Sequence, residues 1–369
     1  MIENVLVGNL FETDAQTLVN TVNCVGVMGK GIALEFKKRF PEMYKDYVER
    51  CNRKQVRLGE PYLYPSLFPP HVINFPTKDH WRSVSRLADI VRGLVYLEKH
   101  YLEWGITSLA VPPLGCGSGG LEWNIVGPTL AGYLHQLEIP VYLFAPHGTA
   151  PKDLDLEFLL RKADKPISAP SSSIPLGWIA IVEVLNRILS APFHWPVGRV
   201  NLQKIAYFIT QAGIPSKLSY QRGSYGPFSP DLKQALSILV NQGLIHEQQL
   251  GNMISMKVGI TYPDARRIYA RDLENWEEII ARVVDLLLRI PSTHQAELAA
   301  TVHFTAKELG DWTTEEAVLN GVMEWKLRRR PVFSREEVAL TIRNLAVLGW
   351  INVKASSNLP LKIEDEAFV

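Results

Sequence analysis

The sequence predicts an α/β domain in three layers, with helices on both faces of a mixed, largely parallel sheet, followed by a mainly helical, winged-helix-like domain. Three observations carry this. Short apolar runs alternate with long periodic stretches over the first ~150 residues, a Pro- and Ser-rich stretch follows, and strand-like runs then become rare. At 369 residues the chain exceeds the roughly 250–300 residues at which a single core stops growing, so two domains are expected.

Each element follows from its local pattern. Asn4 to Val7, Thr17 to Val22, Val72 to Phe75, Ser108 to Val111 and Val141 to Phe144 are short apolar runs bounded by turn residues, hence strands. Between them, Gly31 to Cys51, Arg86 to Trp104 and Asn124 to Leu137 are long and periodic enough for helices. Such alternation implies parallel strands joined by crossover helices. Asp164 to Pro175 is rich in Pro and Ser and reads as a linker, giving domains at 1–160 and 177–369 with 161–176 between them.

Beyond the linker, Gly177 to Leu189, Asn201 to Ala212, Asp231 to Gln242, Arg271 to Arg289, His294 to Glu308, Thr314 to Arg329 and Ser334 to Leu348 repeat apolar residues at helical spacing. Leu244 to Glu247 and Trp350 to Val353 each follow a helix that ends in Gly. Helix, glycine, short strand is the cadence of a winged-helix unit, although helices commonly end at Gly for their own reasons.

Totals exclude some function classes. Mean hydropathy is near zero and the formal net charge is +1, so nucleic-acid contact requires a local basic face rather than bulk charge. No apolar run reaches the ~18–20 residues of a membrane span, and the N-terminus lacks a signal-peptide pattern. Cys24, Cys51 and Cys116 are scattered and lack metal-ligand spacing, which suits a reducing cytoplasm and points to no metal.

The chemistry concentrates in glycine-rich loops. Gly115-Cys116-Gly117-Ser118-Gly119-Gly120-Leu121 follows a strand and leads into a helix. Four glycines in six residues let successive N–H groups converge on an anion, a phosphate or diphosphate. The run matches neither Gly-x-Gly-x-x-Gly nor the P-loop, and a ligand-free surface turn is the plain alternative. A second cluster runs from Asn20, Thr21 and Asn23 through Gly29-Lys30-Gly31-Ile32-Ala33, again strand, loop and helix. Amide side chains at a strand end suit ribose hydroxyls, though Asn also holds turn backbone. In open α/β sheets, ligands gather at the carboxyl ends of strands, where both loops fall.

Gly8-Asn9-Leu10, Asn20-x-x-Asn23, Gly29 to Ala33 and Leu114 to Trp123 together resemble a macrodomain, the ADP-ribose-binding fold, over roughly residues 1–155. Asn74 to Trp81 is similar to the lysine-containing branch of ADP-ribosyl hydrolases. Leu202 to Phe208, Ser224 to Leu232 and Leu298 to Phe304 resemble the toxin-binding region of the macrodomain antitoxins. The resemblance implies an antitoxin that removes ADP-ribose from thymidine in single-stranded DNA and blocks its cognate ADP-ribosyltransferase toxin. No cofactor is implied; ADP-ribose is ligand and product.

Roles follow from the same resemblance. Gly8, Asn9 and Leu10 would lie by the adenine, with Phe144 and Pro146 flanking it; most macrodomains carry Asp at the position of Asn9. Asn20, Thr21 and Asn23, with Gly29, Lys30, Gly31, Ile32 and Ala33, would surround the distal ribose. Pro113, Leu114, Gly115, Cys116, Gly117, Ser118, Gly119, Gly120 and Leu121 would wrap the diphosphate. Lys78, after Thr77, would be catalytic. Its amine can attack the anomeric carbon if deprotonated, or its ammonium can stabilise an anionic leaving base, and the sequence leaves both open.

In the human enzyme of that branch a loop Asp assists the lysine, and Gly119 stands there in this chain, so turnover would rest on Lys78 alone or on a less regular partner such as Asp79, His80 or Glu122. A protein that reads ADP-ribose without turnover is the alternative function. Trp81 and Arg82 could stack a base and hold a phosphate, whereas Arg86 and Arg92 read as a solvated helix face and Arg328 to Arg330 as a cation-rich helix end.

Overall fold

The computed structural model describes residues 1–163, 174–192, 194, 196–251 and 253–361. Most of the expected linker, 164–173, lies outside the described residues. Two units emerge: Met1–Ser173 with Lys233–Gln242, and Ile174–Leu232 with Gly243–Val369.

The first unit runs β1 (Ile2–Leu6), β2 (Thr17–Asn23), α1 (Gly31–Arg39), α2 (Pro41–Asn52), β3 (Tyr62–Tyr64), β4 (His71–Lys78), α3 (Leu87–His100), β5 (Leu109–Val111), α4 (Trp123–Leu134), β6 (Val141–Phe144) and α5 (Leu156–Ala163). The sheet order is β1-β6-β5-β2-β4-β3, with every pair parallel except the edge pair β3–β4. Strand alternation builds two cores from one sheet. Val19, Ile73, Phe75 and Val111 pack toward α3, α4 and α5, while Leu18, Val72 and Ala110 pack toward α1 and α2. Each such fully buried large side chain contributes roughly 1.5–3 kcal/mol.

Two differences from the sequence reading have local causes. The single helix expected from Gly31 to Cys51 is two, because Phe40 leaves helical geometry and Pro41 starts α2 at its first position, where a missing N–H costs nothing. Strand β3 escaped notice because it is three half-buried residues long. Gly93 brings α3 close to β4: a Cβ there would lie 2.7 Å from Phe75 Cε1. That close packing anchors the strand whose last residue is Lys78.

The second unit is mainly helical: α6 (Leu176–Ser190), α7 (Arg199–Gln211), hairpin β7 (Gln221–Gly223) and β8 (Gly226–Phe228), then α8 (Leu232–Asn241), of which all but Leu232 belongs with the first unit. There follow hairpin β9 (Ile245–Leu250) and β10 (Met253–Val258), α9 (Tyr262–Ile268), α10 (Ala270–Asn275), α11 (Glu277–Leu288), α12 (Thr293–Leu309), α13 (Glu315–Trp325) and α14 (Arg335–Val347). Ser292, Thr314 and Ser334 cap α12, α13 and α14 through their hydroxyls, and Ser334 with Glu337 completes a capping box.

The expected helix from Arg271 to Arg289 breaks at Trp276 into α10 and α11. Trp350 to Val353 forms no strand; beside it lies only an isolated bridge from Thr314 to Lys354. Buried polar groups tie this unit together. Lys204 Nζ donates to the carbonyls of Tyr225 (2.5 Å) and Pro227 (3.1 Å), and Glu297 receives both Lys326 (2.9 Å) and Arg329 (3.1 Å). Arg329 also stacks on Phe333, and Arg330 donates to the carbonyls of Leu327 and Arg329; the run lies beyond α13, which ends at Trp325, rather than at the helix end expected from the sequence.

Among the described residues, no helix is long and apolar enough to cross a membrane.

Candidate functional site

Parallel pairing brings the carboxyl ends of β2, β4, β5 and β6 to one edge of the sheet, and the two glycine loops leave from β2 and β5. A cavity of about 450 Å³ opens there, within the range of ligand sites. Its wall is made by Thr21, Asn23, Gly29 to Ala33, Thr77, Lys78, Trp81, Pro113, Gly115, Gly117, Ser118 and Gly119, joined by Val22, Val27 and Pro112, which the sequence reading did not include. Residues up to 98 positions apart thus share one concavity. A roomier cavity of about 600 Å³ in the second unit is walled mostly by aliphatic side chains and prolines and holds no glycine loop.

The Gly115–Leu121 loop is folded by its own backbone. Gly115 (φ +77°) and Gly120 (φ +80°) occupy the left-handed region that side chains avoid. Cys116 N–H donates to Pro113 O, Gly120 N–H to Gly117 O and Leu121 N–H to Gly115 O. Among the described residues, the N–H groups of Gly117, Ser118 and Gly119 have no internal acceptor. Three successive free donors on a cavity wall form an anion nest. Across the cavity, α1 begins at Gly31, and its first N–H groups lack helical partners and carry the positive end of the helix dipole. Lys30 and Lys78 add two side-chain cations to the wall.

Lys78 ends β4, where its Cα pairs with that of Asn23 beside a register shift in β2. Its Nζ donates to Trp81 O (3.1 Å) and to Ser118 O (3.4 Å), linking the β4–α3 connection to the glycine loop. Trp81 is 44 % exposed, with Arg82 lying 4.5 Å over its ring and His80 stacked against it at 5.5 Å. Arg82 itself is not on the cavity wall.

Other expected residues lie elsewhere. Asn20 is fully buried in mid-strand, where its Nδ2 donates to Asn74 Oδ1 (2.9 Å) and Asn74 donates to the Tyr62 hydroxyl (3.1 Å). It does not reach the cavity, because three residues of strand, ~10 Å, separate it from the carboxyl end. Asn23 lines the cavity, yet its amide is engaged by its own loop: Nδ2 donates to Val27 O (2.6 Å) and Oδ1 accepts from Val25 N–H (3.0 Å).

Leu114, Cys116, Gly120 and Leu121 support the loop from outside the wall, and burial pushes the Cys116 thiol up to about 12, which keeps it protonated. Gly8, Asn9, Leu10, Phe144 and Pro146 gather at the ends of the neighbouring strands β1 and β6, off this cavity. Asn9 caps a short turn, accepting from Phe11 N–H (3.2 Å) and donating to Glu12 (2.8 Å).

The replacements considered for a loop carboxylate are also engaged. Asp79 accepts from His80 N–H (2.7 Å), His80 Nδ1 accepts from Arg82 N–H (3.1 Å), and Glu122 accepts from Gln234. Arg86 and Arg92 both pair with the buried Asp89, so they serve helix α3. A carboxylate at position 119 has no room: its Cβ would overlap Ser85 Oγ and Gly115 O and lie 2.8 Å from Ser85 Cβ.

Comparison with known proteins agrees with this chemistry. Residues 19–130 match the Macro domain family. A DNA ADP-ribosyl glycohydrolase of Thermus aquaticus is 31% identical over 362 residues, covering 96% of each chain. A DNA ADP-ribosyl transferase-DNA ADP-ribosyl glycohydrolase fusion protein of Thermosipho africanus is 42% identical over 173 residues, covering 42% of this chain and 45% of that one. Among solved structures, the macrodomain of Mycobacterium tuberculosis DarG is 47% identical, covering 40% of this chain and 98% of its own, with a TM-score of 0.38. A full-length relative joined to a glycine-loop cavity with a lysine on its wall places the chain: it belongs to the DarG family of DNA ADP-ribosyl glycohydrolases, macrodomain hydrolases.

Proposed function

We propose that the first unit removes ADP-ribose from thymidine in single-stranded DNA, and that the second unit binds and inhibits the DarT-like ADP-ribosyltransferase that installs it. One observation carries the hydrolytic reading: Lys78 Nζ stands on the wall of the cavity that holds the Gly117–Gly119 anion nest. The nest and the α1 N-terminus would take the diphosphate, which sets the distal ribose against Lys78. Trp81, half exposed beside Arg82, offers the target base a stacking face.

Hydrolysis breaks the bond between the anomeric carbon and the base nitrogen; water adds to the carbon and the base leaves with a proton. Lys78 already acts as a donor to two carbonyls. Both roles fit these contacts, since an ammonium and a neutral amine each donate: Lys78 either stabilises charge on the departing base or attacks the anomeric carbon. Borohydride added during turnover distinguishes the two: an amine that attacks leaves a reduced ADP-ribose adduct on Lys78, and a donor leaves none. Lys78→Ala is expected to abolish release of ADP-ribose from a modified oligonucleotide while ADP-ribose still binds; full turnover by that variant sinks the assignment.

Support for the second role comes from the fusion relative, whose name joins a transferase to a glycohydrolase in one chain. The β9–β10 hairpin is the wing-like element of the second unit and supports a winged-helix-like reading. Co-purification of the full chain with the transferase tests the partnership, and failure to form a complex refutes it.

A further inference from the structure

Helix α8 contributes a row of side chains to the outer side of the diphosphate loop, all within the first unit. Lys233 Nζ donates to Gly117 O (3.3 Å), and Gln234 donates to Glu122 just beyond the loop. Ser237 lies so near that a Cβ on Gly120 would come within 3.3 Å of its own Cβ. Asn241 works on the segment behind the loop. Its Nδ2 donates to Ser85 O (3.2 Å) and its Oδ1 accepts from Leu87 N–H (2.9 Å). A further bond from Nδ2 to Ser237 O (2.8 Å) orients that amide from its own helix. Ser85 passes the hold inward, because its N–H donates to Gly119 O (2.9 Å).

Peptide geometry gives these contacts a consequence. In a trans peptide the C=O of one residue and the N–H of the next point in opposite directions. Lys233, together with the loop's own Gly120 N–H, holds the Gly117 carbonyl, which turns the Ser118 N–H the other way. The Ser85 bond fixes the Gly119 carbonyl in the same manner. Two of the loop's acceptors are thus occupied from behind, which leaves the Ser118 N–H turned the other way, while Ser118 O accepts from Lys78 on the cavity wall.

We propose that α8 is a positioning element of the ADP-ribose site, with Lys233 and Asn241 holding the diphosphate loop in its anion-receiving form. The inference rests on reading the cavity as that site. Neither residue lines the cavity, and both act through the loop.

The test measures ADP-ribose affinity of the full chain by calorimetry, with hydrogen exchange at the Gly120 and Leu121 amides as a local readout. Asn241→Ala is expected to weaken binding about tenfold, the equivalent of one hydrogen bond to a group the ligand needs. Lys233→Ala, at an exposed position that folding does not depend on, is expected to weaken it severalfold, and Lys233→Arg to restore it. Both alanine variants should speed exchange at the two loop amides and leave the α1 amides unchanged. Wild-type affinity and exchange in both overturn the brace alone, whereas a wild-type chain that fails to bind ADP-ribose overturns the site reading beneath it.

Discussion

Replacing Gly119 with Asp would supply the loop carboxylate that related lysine-dependent enzymes carry, and the structure argues that it fails here. The new Cβ would overlap Ser85 Oγ and Gly115 O and stand 2.8 Å from Ser85 Cβ. The Ser85 hydroxyl can rotate away, but the Gly115 carbonyl is main chain and already accepts from Leu121 N–H (3.1 Å). The loop must therefore shift as a whole. Overpacking of this kind costs about 1–3 kcal/mol, and loosening the Gly115–Leu121 bond adds about 1 kcal/mol. If that cost falls on the loop's ligand-ready form, ADP-ribose affinity drops roughly 30- to 1000-fold, since each ~1.4 kcal/mol is tenfold. Calorimetric affinity and single-turnover hydrolysis of a modified oligonucleotide measure both consequences. Combining Ser85→Gly with Gly119→Asp removes one collision and leaves the carbonyl, so only part of the loss should return. A Gly119→Asp chain that binds like the wild type and turns over faster would refute the argument.

Two further perturbations follow from buried polar groups. Asn74→Ala strips the fully buried Asn20 amide of its oxygen acceptor, leaving only the Met28 sulfur, and the Tyr62 hydroxyl of a donor, and should cost about 1–3 kcal/mol in denaturant unfolding; an unchanged midpoint would show that the pair relaxes freely. Burial first, then repulsion from Lys326, lowers Lys204 from 10.5 to about 7. Between those values the unfolded chain binds more protons than the folded one, so stability rises with pH across that window and the penalty is complete below about 7. Lys204→Met should flatten that slope relative to wild type in pH-dependent unfolding, and an identical slope in both would count against it.

Much of the fold and part of the site were legible in the chain. Local pattern suffices for β4, whose Ile73 and Phe75 sit on one core while Val72 faces the other, and for a loop such as Gly115–Leu121 that only glycine can bend. Those cues act between near neighbours, so sequence by itself determined the layered α/β order, the mainly helical second unit, and two glycine-rich loops that meet Lys78 on one cavity wall. Direction and depth were decided by tertiary structure. Asn20 matched a ribose contact in type and order, but strand pairing set it opposite Asn74, three residues short of the edge. The crowding that excludes a carboxylate at Gly119 comes from Ser85, brought there by the β4–α3 connection. The hold on Gly117 comes from Lys233, 116 residues away. A hydrogen bond over that separation leaves no periodic trace in sequence, because its partners are chosen by the closure of the fold rather than by the residues beside them.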